Sequence, residues 1–426
     1  MIKILQVRNI DSFVESRRQK TSETDRKIVQ SILNDVRKNG DSAVKKYERK
    51  FNGKSTSQLR VSAKEIKEAQ SKISNQEREA IQVMRNTLSW QESEYLKILP
   101  SYKYNERDDY IRTAKSFTPI PSVGCYIPGG QARYPSSAVM SVTPAKIAGV
   151  KRIVVVSPPG RDGKIDPLTI AAAKMCGATE IYKVGGAQAI GALAHGTKSI
   201  PKVDKIVGPG GKFVSIAKSL VSDQTPIDMI AGPTELGIIA DASSDPELAA
   251  LDLISQAEHS KDTMCFVITQ SKTMAKQIKK SVEKLVLGTE RSSIIKESIS
   301  KNGFIAVCKN QNEVIELANK IAPEHMELMV KNAKSLSKKI TGAGLVLIGK
   351  NTPSAASDYI LGTNHILPTN GFGRTRGGLS VLDFLKLQTV VESSLDYLNY
   401  SEYDLETLTD AEGLPNHYKA TERRLV

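Results

Sequence analysis

The spacing of hydrophobic and polar residues changes along this chain and divides it into regions. Between residues 28 and 36 apolar side chains recur at the spacing that is typical of an amphipathic helix. Ser62 and Ser74 are each followed three residues later by Glu, which forms a capping box that satisfies free N–H groups of a first helical turn. We therefore predict an N-terminal helical segment over residues 1–115.

From about Thr118 short β-branched runs alternate with Ala- and Lys-rich helical stretches. The predicted strands are 152–156, 181–184, 238–240, 264–269, 304–307 and 345–349, and the predicted helices are 167–176, 246–259 and 313–322. Strands that alternate with helices of this length are typical of βαβ units and parallel sheets. Because the alternation covers about 230 residues, we predict an α/β fold with two Rossmann-like parallel-sheet domains.

The pattern also predicts where these regions begin and end. We place the first Rossmann-like domain at residues 116–235 and the second at 236–382, with the N-terminal segment packing on the second. Residues 383–426 are predicted to be helical and polar. They are typical of a tail that packs on another surface, because they offer too few apolar positions for a core of their own.

Composition narrows the class of protein. The chain has 426 residues, of which 40% are hydrophobic and 25% charged, as in globular proteins. No apolar run has the roughly 20 residues that are needed to cross a bilayer. Lys3 and Arg8 interrupt the short apolar stretch at the N-terminus, which excludes the apolar core of a signal peptide. We expect a cytoplasmic protein without a membrane partner.

Cysteine spacing and charge exclude two further kinds of site. Cys125, Cys176, Cys265 and Cys308 form no C-x-x-C pair, so we expect structural thiols and no disulfide framework or cysteine-ligated zinc. The formal net charge of +14 suggests a nucleic-acid binder as one alternative. However, the basic residues are spread along the chain without an Arg-rich arm, and solvated helix faces explain them better.

Gln256 and His259 are the first candidate ligands. They are three residues apart near the predicted end of a helix, so their side chains face the same side and could bind one ion. Alternatively, Gln256 is a surface residue and His259 a C-terminal helix cap. His195 also ends a predicted helix, directly before Gly196, and we interpret it as a cap.

Glu324 and His325 lie between a predicted helix and an apolar strand-like run. We expect an α/β protein to place functional residues at such a junction. An adjacent carboxylate and imidazole could divide proton transfers, since His titrates near neutrality and burial raises the pKa of Glu. Alternatively, Pro323 ends the helix and the two polar residues are exposed in a loop.

Further candidates lie in a long loop and in the tail. Asp358 and His365 are in a Gly-, Ser-, Thr- and Pro-rich loop between residues 351 and 378, and loops this long are uncommon unless they are functional or disordered. Glu412 and His417 are in the tail, where ordinary helix-end residues are an equally simple interpretation. These residues alone also permit a metal-dependent hydrolase with Glu324 as the base for metal-bound water.

Two glycine clusters follow predicted strands. Residues 183–189 form a strand, a Gly turn and a helix start, where an anionic group of a ligand can meet free N–H donors. Residues 207–211 form a second tight turn. Neither matches G-x-G-x-x-G, so the spacing alone does not predict a dinucleotide.

Taken together, these segments resemble the histidinol dehydrogenase family from about residue 25 to residue 417. The matching stretches, in family order, are 124–130, 185–189, 203–206, 228–235, 255–259, 323–325 and 357–368. The single motifs are unspecific, but so many in the same order are not a coincidence.

The resemblance implies an enzyme that oxidises L-histidinol through the aldehyde to L-histidine with two NAD, in the last two steps of histidine synthesis. It implies one Zn²⁺ per subunit that holds the substrate by its amine and imidazole nitrogens. Its expected ligands are Gln256, His259, Asp358 and His417. This mixed O/N set suits zinc, although a glutamine ligand is atypical.

The resemblance also assigns the other site residues. His325 is the expected base for the alcohol proton, and Glu324 is expected to activate the water that attacks the aldehyde. Besides the metal ligands and His325, the expected substrate contacts are Thr234, His365 and Glu412. The expected cofactor contacts are Tyr126, Gln188 and Gly211.

Family members are homodimers whose tail crosses to the partner, so Glu412 and His417 are expected to complete the neighbouring site. Two positions depart from the family pattern. Gly211 replaces an Asn that contacts NAD, which removes a side-chain hydrogen bond, and Thr234 replaces a Ser but keeps the hydroxyl. The nearest alternative is a related zinc- and NAD-dependent dehydrogenase of a different amino or polyol alcohol.

Overall fold

The computed structural model describes residues 1–18, 22–53, 58–99, 104–107, 110–129 and 133–425. Gly130, the last residue of the matching stretch 124–130, lies outside them. Two compact units divide the chain. The larger contains residues 1–93 and 121–384, and the smaller contains residues 94–120 and 385–426.

The strands in chain order are β1 (Lys3–Gln6), β2 (Tyr104–Arg107), β3 (Ile111–Pro119), β4 (Ser122–Tyr126), β5 (Arg152–Ser157), β6 (Glu180–Lys183), β7 (Lys205–Val207), β8 (Glu235–Ala240), β9 (Met264–Thr269), β10 (Phe304–Val307), β11 (His325–Met329), β12 (Leu345–Ile348) and β13 (Leu385–Ser393).

The helices are α1 (Ile10–Glu15), α2 (Glu23–Asn39), α3 (Asp41–Asn52), α4 (Ala63–Lys72), α5 (Asn75–Ile98), α6 (Pro135–Ala148), α7 (Pro167–Cys176), α8 (Gly186–His195), α9 (Lys212–Val221), α10 (Pro246–Ala257), α11 (Lys272–Leu285), α12 (Ser292–Lys301), α13 (Gln311–Ile321), α14 (Ala333–Ser337), α15 (Ser354–Ser357), α16 (Leu395–Tyr400), α17 (Glu402–Ala411) and α18 (Pro415–Glu422). Short 3₁₀ turns occur at Val286–Gly288, Phe372–Arg374 and Val381–Phe384.

The predicted alternation of strands and helices produces two parallel sheets in the larger unit. One sheet has the strand order β6-β5-β4-β7, and the other has the order β1-β10-β9-β8-β11-β12. All their pairings are parallel. The α/β class with parallel sheets is therefore confirmed.

Both faces of the six-stranded sheet are buried. In β8, Ile238 lies in one core cluster and Ile239 in another, because successive strand residues point to opposite faces. Cys265 and Phe266 of β9 divide in the same way. These strands are therefore nearly continuous apolar runs, as parallel sheets with two covered faces require. The four cysteines are buried free thiols, as predicted.

The N-terminal segment is less uniform than predicted. Residues Lys3–Gln6 form strand β1, which pairs with β10 at an edge of the six-stranded sheet. Residues Ile111–Pro119 form strand β3, so the helical prediction is also wrong there. The capping boxes at Ser62 and Ser74 are confirmed, since both serines exchange hydrogen bonds with the following Glu.

The expected packing of this segment on the second sheet needs a correction. Strand β1 and helix α1 lie there, and α5 contacts the predicted second domain through the bond from the Val381 N–H to Glu92. Helix α2, in contrast, packs on α8 and α9 beside the four-stranded sheet. Gly191 of α8 explains the choice, because its missing side chain leaves room for Leu33 and Val36 of α2. The apolar face that the sequence predicted for α2 therefore packs against α8 at Gly191.

The smaller unit contains an antiparallel sheet of order β13-β3-β2 and helices α16–α18. Strand β13 corrects the prediction that residues from 383 onward are helical. Its register joins Leu385 to Pro119 and Ser393 to Ile111. Long-range pairing with β3 decides this structure, because most positions of β13 are exposed and its apolar residues do not alternate regularly with polar ones.

None of the described helices combines the length and apolar composition that crossing a membrane requires.

Candidate active site

The catalytic candidates lie where two neighbouring strands begin. Strand β11 starts at His325, directly after Glu324, and His325 is in register with Leu236 of β8. This is the amino end of the strands. Doubly wound sheets usually bind ligands at the carboxyl ends. The predicted position of Glu324 and His325 between a helix and a strand is confirmed, and the alternative of two polar residues exposed in a loop is wrong, because both are buried.

Glu324 is fixed by the backbone of the neighbouring strand. Its Oε2 accepts a hydrogen bond of 3.0 Å from the N–H of Glu235. Burial raises the pKa of Glu324 to about 7 against the opposing effect of the His325 charge. A carboxyl group with this pKa can accept and release a proton near neutrality.

His325 lies between two carboxylates. Its Nε2 is 3.4 Å from Oδ1 of Asp358, and its Nδ1 is 3.9 Å from Oε2 of Glu324. Burial by itself lowers the pKa of His325, but the nearby Asp358 and Glu324 together raise the pKa to about 9. Between its two carboxylate neighbours the imidazole, only 2% exposed, holds a proton at neutral pH. A divalent ion at Asp358 would offset one of these carboxylates and favour the neutral imidazole, which can act as a base.

Three of the four predicted metal ligands belong to the larger unit. Gln256 is buried near the end of α10, and its Oε1 has no hydrogen-bond partner among the described residues. His259 follows α10 and is exposed. Burial favours the neutral form of Asp358, but the charges of His325, His365 and His259 hold its pKa below the ordinary value.

These donors fit a divalent ion, because the buried amide oxygen of Gln256 has no partner among the described residues and the half-buried Asp358 carboxylate is ionised. Across the part of the chain that the structure describes, no three His, Cys, Asp or Glu side chains are already arranged as a metal-binding cluster. The backbone N–H of Ser354, at the start of α15, donates to Glu327 at 2.7 Å, which ties the turn that ends at Asp358 to strand β11.

The predicted substrate contacts are divided between the units. In the larger unit, Nδ1 of His365 is 3.0 Å from the carbonyl oxygen of Asp358, and Nε2 is 3.4 Å from Oγ of Ser137. Thr234 directly precedes β8. In the smaller unit, Glu412 is the C-cap of α17 and His417 lies on α18, and both are exposed.

The first glycine turn does not offer the free donors that its sequence predicted. The N–H of Gly185 donates to Oε1 of Glu48 at 2.9 Å, and the N–H of Gly186 donates to the Tyr126 hydroxyl at 3.1 Å. Both N–H groups already donate to protein oxygens, so neither is free to bind an anion. The interpretation of residues 183–189 as an anion site is therefore wrong for these two groups.

The second glycine turn is held in a similar way. The N–H of Gly208 donates to Asp228 at 2.8 Å, and the buried Lys218 binds both the Gly208 carbonyl, at 2.8 Å, and Asp228, at 2.5 Å. Gly208 has a φ of +108°, and a side chain there would collide with the Tyr126 backbone. Gly211, by contrast, is the N-cap of α9, and a Cβ there would meet none of the described residues within 4 Å.

These turns lie at the carboxyl ends of the four-stranded sheet. The strand order reverses between β4, which ends at Tyr126, and β7, which precedes Gly208. Such a reversal opens a crevice where doubly wound proteins bind nucleotides. Tyr126, Gln188 and Gly211 thus lie on one edge of one sheet.

Sequence reasoning gave no role to several residues that the structure places in these sites. Glu235 is buried beside Glu324, and its pKa is raised to about 8, chiefly by burial. Glu48 follows Tyr47 on the buried face of α3, four residues after Val44. A carboxylate at an apolar helical position was the signal that could have identified Glu48.

The four-stranded sheet has the strand-order reversal at which doubly wound proteins bind nucleotides. The six-stranded sheet carries the buried Glu324–His325 pair. Together these features define an α/β enzyme. The histidinol dehydrogenase family profile matches residues 15–425. Histidinol dehydrogenase of Bacillus licheniformis is 40% identical over 403 residues, covering 95% of this chain and 94% of that protein. That of Methanococcus maripaludis is 42% identical over 399 residues, covering 93% and 92%.

A solved structure agrees. The crystal structure of histidinol dehydrogenase from Elizabethkingia anophelis matches with a TM-score of 0.93 at 32% identity, covering 100% of this chain and 98% of that one. The chain belongs to the histidinol dehydrogenase family and is an NAD-dependent oxidoreductase. This membership selects an oxidoreductase over the hydrolase that the site residues alone permitted.

Proposed function

We propose that this enzyme oxidises L-histidinol through L-histidinaldehyde to L-histidine, with two NAD per substrate, in the last two steps of histidine biosynthesis. The observation that carries the proposal is the buried Glu324–His325 pair beside Asp358, with Oε2 of Glu324 and Oδ1 of Asp358 at 3.9 and 3.4 Å from the His325 ring. His325 and Glu324 are proton acceptors with different pKa values. Such a pair suits a reaction that removes one proton from the alcohol and another from the attacking water.

His325 is the proposed base for the first oxidation. It takes the hydroxyl proton of the alcohol as the carbon loses a hydride, which NAD, when bound, accepts in each of the two oxidations. Its position between Glu324 and Asp358 stabilises the imidazolium that forms. Since both of its ring nitrogens lack a hydrogen-bond partner among the described residues, one of them is available to the substrate.

Glu324 is the proposed base for the hydration of the aldehyde. Its pKa near 7 leaves much of the carboxylate ionised at neutral pH, so it can take a proton from the attacking water. The hydrated aldehyde then loses a second hydride, and the product is the acid. The hydrogen bond from the Glu235 N–H keeps Oε2 of Glu324 in place while the carboxylate takes the proton from water.

Gln256, His259 and Asp358, with His417 from the tail, are the proposed ligands of one Zn²⁺ per subunit. Such an ion would hold the amine and imidazole nitrogens of histidinol, which orients the substrate without generating hydroxide. Substrate held in this way does not leave as a reactive aldehyde. Thr234, His365 and Glu412 are the proposed additional substrate contacts.

The stoichiometry of NADH formation tests this function. We expect purified protein with zinc, NAD and limiting L-histidinol to produce about two NADH per substrate, measured by absorbance, because both hydrides leave in one site. No NADH would contradict the proposed substrate, and one NADH with free aldehyde would contradict the two-step mechanism. Activity on another amino or polyol alcohol with none on histidinol would favour the related dehydrogenase.

A further inference from the structure

Glu48 connects helix α3 to the first glycine turn. The residue is 1% exposed, and its carboxylate accepts hydrogen bonds on both oxygens. Its Oε1 accepts the N–H of Gly185 at 2.9 Å and the Nε2 of Gln188 at 2.8 Å, while its Oε2 accepts the Nδ2 of Asn52 at 2.7 Å. All three neighbours donate, so the carboxylate acts only as an acceptor.

This arrangement fixes the orientation of the Gln188 amide. Since Oε1 of Glu48 already accepts a backbone N–H, only the NH₂ group of Gln188 can face it favourably. The carbonyl Oε1 of Gln188 must then point away from Glu48. That oxygen is buried and has no hydrogen-bond partner among the described residues.

The same carboxylate decides what kind of group can satisfy that oxygen. The N-terminus of α8 would ordinarily attract an anion, but a carboxylate already lies there. A phosphate placed beside Glu48 would be repelled, whereas the free Gln188 oxygen needs a hydrogen-bond donor. The ribose hydroxyls and the carboxamide NH₂ of a nicotinamide dinucleotide are donors of this kind.

We propose that Glu48 is a positioning residue of the cofactor site, which holds Gln188 so that its amide oxygen accepts a hydrogen bond from a hydroxyl or amide donor of NAD. This inference rests on the proposed function and on the expectation, from the family resemblance, that NAD contacts Gln188. Glu48 itself does not touch the cofactor and acts through Gln188.

Four single variants and one double variant test the proposal, with NAD affinity measured by titration calorimetry in the absence of histidinol. Glu48→Met removes the acceptor at similar length, and Glu48→Gln keeps an acceptor oxygen. Gln188→Leu removes the amide. Asp41→Ala is the matched control, because Asp41 also lies on α3 and accepts a backbone N–H, that of Ser199 at 3.2 Å, but at the other end of the helix.

We expect Gln188→Leu and Glu48→Met each to raise the Kd for NAD about tenfold, the loss of one buried hydrogen bond. Glu48→Gln should stay within about twofold, and Asp41→Ala should lower the melting temperature without changing the Kd. The double variant Glu48→Met with Gln188→Leu should bind NAD no more weakly than Gln188→Leu alone, because both changes remove the same contact.

The outcomes separate the inference from the proposed function. If Gln188→Leu leaves the Kd unchanged, the cofactor lies elsewhere and this inference fails, whereas the proposed function fails only if the NADH stoichiometry contradicts it. If Gln188→Leu weakens NAD but Glu48→Met does not, or if the two effects add fully in the double variant, Glu48 does not position Gln188. If Asp41→Ala weakens NAD as much as Glu48→Met does, the effect belongs to the packing of α3.

Discussion

At the scale of single residues, burial decides the chemistry of the carboxyl groups. Glu235 begins β8 and Glu324 directly precedes the neighbouring strand β11, and burial raises the pKa of Glu324 to about 7 and that of Glu235 to about 8. Glu92 of α5 is also buried and accepts the N–H of Val381 at 2.6 Å, and burial raises its pKa to about 7. Glu92 is not among the proposed metal ligands, so it can be used to test how burial of a carboxyl group changes stability with pH.

Glu92 should make stability fall as the pH rises. Its pKa rises from an ordinary value of 4.5 to about 7 in the folded protein, so the folded state binds the proton more tightly. The stabilisation is complete below pH 4.5 and is lost as the pH rises through 7. Glu92→Gln does not titrate, so the variant should be more stable than the parent at pH 8, by up to about 3 kcal/mol, and similar at about pH 5. Urea unfolding at both pH values checks this; an equal difference at both would contradict it.

His325→Asn should abolish most of the turnover while metal binding is retained. The imidazole is the proposed base, and its loss is expected to lower kcat by about 10²–10⁴-fold. Metal content measured by atomic absorption should equal that of the parent, because His325 is not among the proposed ligands. A variant that loses both metal and activity would instead assign His325 to the metal site.

At the scale of elements, the ends of strands and helices bring the site together. The N-cap of α9 is Gly211, which forms no side-chain capping bond. No atom of the described residues lies within 4 Å of a Cβ placed on Gly211, and its φ of −63° is open to other residues. The backbone at position 211 therefore does not require Gly and could hold the family's Asn without strain. With Gly in its place, the first turn of α9 has no side-chain cap.

Gly211→Asn should strengthen both the helix and the cofactor site. An Asn at an N-cap is worth a few tenths of a kcal/mol more than Gly, so the melting temperature should rise slightly. The side-chain hydrogen bond to NAD should return, which we expect to lower the KM for NAD about threefold while kcat is unchanged. Gly211→Ala is the control, since it adds a side chain without a hydrogen-bonding group. The same KM in both variants would show that the amide makes no contact.

At the scale of the whole molecule, the smaller unit carries features of a surface that meets a partner. Large apolar side chains of its strand β13 and its C-terminal helices are exposed, namely Leu387, Val391, Leu395, Tyr400, Tyr403, Leu408 and Leu414. Exposed apolar side chains in such number favour association. They support the proposal of a homodimer in which the tail residues Glu412 and His417 complete the site of the neighbouring subunit.

Mixed dimers test the exchange of the tail. His417→Asn and His325→Asn should each be nearly inactive, the first with reduced metal content. After the two are unfolded together and refolded, about a quarter of the parent activity should return, because half of the dimers are mixed and each has one intact site. Each variant refolded alone is the control. No recovery would show that each chain completes its own site.

The sequence determined the local structure and the kinds of chemistry that this chain carries. Periodicity identified strands of both parallel sheets, such as Met264–Thr269, because apolar runs between turn residues are typical of buried strands. The motif resemblance selected Glu324, His325 and Asp358, since residue types can be recognised where the contacts that surround them are still unknown.

Only the tertiary structure decided how distant segments combine. Strand β13 forms through its pairing with β3, and α2 packs on α8 because Gly191 leaves room for it. The N–H of Gly185 in the first glycine turn is bound by Glu48, which is 137 residues away in the chain. Local spacing contains no information on such contacts, because a residue's partners, and with them its pKa and its free hydrogen-bonding groups, depend on which segments the fold brings together.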